Sequence, residues 1–130
     1  MEQRHADYIE YYRARMQKYA NNPDYQNTFE AEKSLFDAVS TAASLEEFGE
    51  RMKEGALNHQ VAVALVKDEA KMRADFYLSL GETVRAGSHL EILDNIASTT
   101  YTDVQDLVTM VADVETRWQI KIAMDEYMIE

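Results

Sequence analysis

Val104-Gln105-Asp106-Leu107-Val108-Thr109-Met110-Val111-Ala112-Asp113-Val114-Glu115-Thr116-Arg117-Trp118 decides the fold class. Its apolar residues Val104, Leu107, Val108, Val111, Val114 and Trp118 recur at steps of three and four, the period of one helix face and not of a strand. Just ahead, Thr102-Asp103-Val104-Gln105 has a hydroxyl three residues before a carboxamide, the capping-box spacing that satisfies orphaned amides at a helix start. Asp103 adds a negative charge where the helix dipole favours one. The final helix is expected to run from there to about Met128.

Two further boxes stand upstream, Ser44-Leu45-Glu46-Glu47 and Ser88-His89-Leu90-Glu91, and each predicts a helix start. The first helix is expected over residues 2–20, with Ile9, Tyr12, Met16 and Tyr19 on one face and Tyr8 beside them. Asn21-Asn22-Pro23-Asp24 stops it, because proline disfavours helix in the residue before it. A second helix carries Tyr25, Phe29, Phe36, Val39 and Ala43 along one side, with Leu35 adjacent. A third turns Phe48 and Met52 inward, and a bend is expected between Gly55 and Asn58.

Residues 60–85 read as the central helix, apolar nearly all round from Val61 to Val66, with Ala70, Phe76, Tyr77 and Leu80 continuing the buried side. Gly87 is placed to end it. A short helix through Leu90, Ile92, Leu93 and Ile96 follows. No segment shows a sustained period of two, and one proline with four scattered glycines leaves few breaks. The expectation is an all-α, up-and-down helical bundle of five to six helices, four longer ones plus one or two short ones, forming a single domain over residues 1–130.

Composition narrows function. A hydrophobic fraction of 46% is that of a folded globular chain, and the lack of cysteine removes disulfides, thiolate metal sites and thiol nucleophiles. No uncharged run long enough to span a bilayer is present, and the first residues lack the apolar core of a signal peptide, so a cytoplasmic location is expected. A net charge of −11 opposes binding to nucleic acid or anionic lipid. That charge is segregated: residues 21–50 carry −6 and residues 87–130 carry −7, whereas residues 1–20 and 51–86 each carry +1.

Catalytic patterns are missing. Only Glu2-Gln3-Arg4-His5 has the Glu-x-x-His spacing of a di-iron bundle, no glycines cluster into a phosphate loop, and no serine sits in a Gly-x-Ser-x-Gly elbow. Glu46-Glu47 and Asp125-Glu126 splay apart on a helix. The expectation is therefore of no catalytic site, cofactor or metal, and no enzyme.

Two surfaces remain as candidates for binding a partner. Asp103, Asp106, Met110 and Asp113 follow steps of three, four and three away from the valine stripe, an acidic ridge that is either a solvated face or a dock for a basic protein. On the first helix Tyr11 faces outward with Arg15 and Lys18 following, residue types that dominate binding energy at interfaces. The leading expectation is a noncatalytic protein-binding module: a small acidic inhibitor, immunity protein or adaptor docking a basic partner. The alternatives are a structural subunit of a homo-oligomeric assembly, joined through the apolar excess at residues 120–129, and a small-ligand-binding bundle with its pocket near His59, Tyr77 and Trp118.

Overall fold

A computed structural model describes residues 2–101 and 103–129, with side chains described through Asp125. Six α-helices and one 3-10 turn (Pro23–Tyr25) make up its secondary structure, and no strand occurs among the described residues. The helices are α1 (Gln3–Lys18), α2 (Gln26–Thr41), α3 (Leu45–Gly55), α4 (Leu57–Ser79), α5 (Thr83–Ser98) and α6 (Val104–Ile129). The fold is all-α. The chain divides into two compact units, Met1–Asp68 and Glu69–Glu130, which are described separately.

In the first unit α1 packs on α2 and α2 on α3. Tyr12, Leu35, Val39, Ala42, Phe48 and Val61 form its core, with Ile9, Phe36, Leu45, Met52 and Leu57 packed around them. Each large side chain so buried contributes about 1.5–3 kcal/mol. Tyr12 meets Phe48 edge to face with ring centroids 5.5 Å apart. The inner stripe of α2 is Thr28, Glu32, Leu35 and Val39, not the expected Phe29–Phe36–Ala43 line: Phe29 and Phe36 are half-buried and Ala43 is exposed. The face is rotated because two polar residues hold core positions with partners of their own.

Helix ends follow recognisable chemistry. Ser44 Oγ accepts from the Glu47 amide at 3.1 Å, and Glu47 Oε2 accepts from the Ala43 amide at 2.8 Å, one residue earlier than the reciprocal bond of the box. Arg51 ties α3 back to α2, its Nη1 donating to the Ala38 carbonyl at 3.1 Å and to Thr41 Oγ1 at 2.6 Å. Between α3 and α4 the expected bend is a single residue, Ala56, in the left-handed region at φ 48°. Gln60 Nε2 donates to the Gly55 carbonyl at 2.6 Å and helps close that turn.

In the second unit the sequence expectations need three corrections. The central helix ends at Ser79, with Gly81 at φ 75° supplying the left-handed turn, and α5 starts at Thr83. Ser88-His89-Leu90-Glu91 therefore lies inside a helix, and Gly87 terminates nothing. A Cβ at Gly87 would fall on the six-membered ring of Trp118, so this glycine exists to let α5 and α6 approach. Phe76 and Leu80 are exposed, at 58% and 59%, while Ala70 and Ala74 take the buried positions.

On α6 the inner stripe is buried Leu107 and Val114 with half-buried Val111 and Trp118, and Val104 and Val108 are exposed on one flank. A step of 100° per residue sets both valines 60–100° away from Leu107, beyond the width of the face that α5 covers. Arg117 Nη2 pairs with Glu91 Oε2 at 2.6 Å across the α5–α6 seam. Thr102 of the third predicted capping box lies outside the described residues, as do the side chains of Tyr127, Met128 and Ile129; Asp103 precedes α6 and its Oδ1 accepts from the Gln105 amide at 2.8 Å.

Candidate functional site

Asp106 and Asp113 are exposed on one flank of α6, Asp103 is exposed just ahead of its first turn, and Met110 between the two helical acids is half-buried. Asp103 spends one carboxylate oxygen on the helix start, which leaves Asp106 and Asp113 as the acids with no such structural duty in the described geometry. Arg117 follows Asp113 by one turn; its bond to Glu91, with the field of Asp113 adding to it, holds its pKa above the usual guanidinium value. Beyond the acids, Gln105, Thr109, Ala112 and Thr116 form an exposed strip without charge, bordered by Val108 at 53% exposure and Ile120 at 56%. A surface helix normally spends such positions on Lys and Glu.

The second face lies on α1. Arg4, Tyr8, Tyr11, Arg15 and Lys18 recur at steps of four, three, four and three, so they share one side of the helix. Tyr11 is 56% exposed and Tyr8 39%, and these are the exposed large apolar side chains of the first unit among its described residues. Arg15 is committed inward: Nη2 donates to Glu32 Oε1 at 2.8 Å and its guanidinium lies 5.7 Å from the Tyr11 ring centre and 5.3 Å from that of Tyr12. Burial would lower the Arg15 pKa, but the bond to Glu32 overrides it and raises the value. Burial likewise pushes the Tyr12 phenol up, partly opposed by Arg15.

Sequence reasoning passed over the buried polar groups of the first unit: His5, Thr28, Glu32 and Asp68 are each no more than 3% exposed. Asp68 Oδ2 accepts from the Thr28 amide and from Thr28 Oγ1, both at 2.7 Å, and Oδ1 accepts from Asn27 Nδ2 at 2.7 Å. Asp68 thereby caps α2, whose own N-cap residue Tyr25 has no side-chain bond to give. His5 Nε2 donates to the Val39 carbonyl at 2.8 Å, since that oxygen only accepts. The signal was present as Thr28 and Glu32 at spacing four in line with Leu35 and Val39, polar residues on an otherwise apolar stripe.

Tyr77 stacks on His89 with ring centroids 5.8 Å apart, while Trp118 covers Gly87 and carries Lys121 Nζ 4.7 Å above its ring. His59 Nδ1 is buried without a hydrogen-bond partner among the described residues. Burial, with Arg73 adding to it, depresses the His89 pKa below its ordinary value, and Glu115 opposes. A cleft of about 270 Å3 in the second unit is lined by Gly81, Glu82, Thr83, Val84, Arg85, Ile122 and Asp125, residues separate from the three proposed for a pocket.

No protein-family model, curated protein or solved structure matches the chain.

Among the described residues no group of three or more His, Asp or Glu could hold a metal ion, and no helix is long and apolar enough to cross a membrane. What the surface offers is directional charge beside uncharged helical faces. That chemistry suits recognition of another macromolecule: separated carboxylates orient an incoming cationic surface, and the adjoining neutral strip admits close packing.

Proposed function

We propose that this chain is a noncatalytic protein-binding module, an acidic inhibitor, immunity protein or adaptor acting in the cytoplasm, which docks a basic partner through the outer side of α6. The observation that carries the reading is the exposure of Asp106 and Asp113 along an uncharged strip edged by Val108 and Ile120. Docked carboxylates speed encounter and fix orientation, and the neutral strip supplies the water-excluding contact that charge alone does not. The lack of cysteine suits a reducing compartment.

The test is capture from the native cell extract with two baits, the wild-type chain and the D106K/D113K variant, at low and high salt. A basic protein retained in near-stoichiometric amount by the first and lost by the second supports the reading. Equal retention by both baits retires this face of α6. Asp103 is left unchanged because reversing it would also weaken the start of the helix.

A further inference from the structure

We infer that the α1 face formed by Arg4, Tyr8, Tyr11, Arg15 and Lys18 docks the acidic flank of α6 of a second copy of this chain, giving a head-to-tail contact. The inference rests on the docking role of α6 proposed above and names a partner surface for it. Charge complementarity carries it. In a chain of net charge −11 the α1 face holds three cationic residues and no carboxylate. The neighbouring acids are turned to other tasks: Asp7, at its edge, accepts from Gln3 at 2.9 Å, and Glu10 pairs with Arg13 at 3.3 Å.

The components of the face have distinct roles. Arg15 is neutralised by buried Glu32 and holds the Tyr11 and Tyr12 rings in place, so it gives the face rigidity. Exposed Arg4 and Lys18 supply the net charge at its two ends, about 21 Å apart along the axis at 1.5 Å per residue. Tyr8 and Tyr11 between them present large area with polar tips, the composition enriched where interfaces are strongest. On the second copy, Asp106 and Asp113 are two turns apart, about 10 Å, and therefore fit between those cations. Because the two faces differ, the contact is heterologous and leaves a free α1 face on one copy and a free α6 face on the other.

The experiment is sedimentation of the full chain over a range of concentrations, at low salt and at about 0.5 M salt, where charge attraction is screened within a few ångströms. Three proteins are compared: wild type, R4E/K18E and D106K/D113K, all substituted at exposed positions, with circular dichroism to confirm equal helicity. Wild type is expected to gain mass with concentration at low salt only. Each variant alone should lose this association by at least about tenfold. An equimolar mixture of the two variants should regain the association that each has lost alone, because R4E/K18E keeps its α6 face and D106K/D113K keeps its α1 face.

A wild-type chain that stays monomeric at every concentration overturns the inference, as does association that neither double variant weakens. The failure is separable from that of the proposed function. If the chain is monomeric while the α6 variant still loses its captured protein, only the self-contact falls. If the variants complement one another but capture is indifferent to D106K/D113K, α6 serves self-assembly and the module reading falls.

Discussion

Asp68 closes the amino end of α2 from 40 residues further along the chain, its Oδ2 accepting from both the amide and the hydroxyl of Thr28 at 2.7 Å. The bond does two things at once: it satisfies a helix-start donor that Tyr25 leaves open, and it fixes the first half of α4 against α2. Both partners are buried, so water offers no substitute.

Replacing Asp68 by alanine should therefore cost the first unit about 2–4 kcal/mol, since it strands buried donors as well as removing a charged acceptor. Thr28→Val removes the hydroxyl and keeps the amide bond and shape, and should cost about 1–2 kcal/mol. Urea denaturation measures both, and amide exchange at Thr28 should accelerate in D68A. Equal stability of D68A and wild type would show that the cap is dispensable.

Gly87→Ala tests the contact with Trp118. Alanine favours a helix interior over glycine by about 1 kcal/mol, so helix propensity alone predicts stabilisation. The added Cβ falls on the indole, which predicts a net loss of about 1–3 kcal/mol and a shifted Trp118 fluorescence maximum. A more stable G87A with unchanged fluorescence would mean that α5 and α6 are not held at this separation.

Much of the fold was legible in the sequence for reasons these residues make plain. The Ser44 cap is legible because its chemistry is local, a hydroxyl and an amide three residues apart. The same spacing at Ser88 misled, because the pattern carries no record of whether the chain is already helical there. Gly81 and Gly87 look alike in sequence. One takes a left-handed turn and the other makes room for a ring 31 positions away, and only the position of Trp118 separates the two uses. The exposed acids of α6 are legible from helical phase; phase also sets Thr28 and Glu32 in line with Leu35 and Val39, but it does not name their partners, because Asp68 and Arg15 come from other helices.

Ala56 holds a left-handed conformation at φ 48° without the freedom of glycine, in the exposed link between α3 and α4. Ala56→Gly should stabilise the first unit by about 0.5–1 kcal/mol, relief of the Cβ strain exceeding the entropy that glycine adds to the unfolded chain. Thermal unfolding checks this. A destabilised A56G would show that the turn is unstrained.

The depressed pKa of His89 makes a stability statement with a definite sign. The folded protein resists protonation that the unfolded chain accepts near 6.5, so the contribution is complete above that value and is lost as pH falls below it toward the folded pKa. Wild type should lose more stability than His89→Gln between about pH 7.5 and pH 5.5. Parallel stability profiles for the two proteins would contradict the burial of a neutral imidazole against Tyr77.

The central claim is that Asp106 and Asp113 steer a basic partner onto α6, and the most direct measurement is the association rate constant of the captured partner with wild type and with D106K/D113K across ionic strength. The account predicts a wild-type rate that falls steeply with salt and exceeds that of the variant by about tenfold or more at low salt, the two converging as screening removes the advantage. Equal rates at every ionic strength would contradict it.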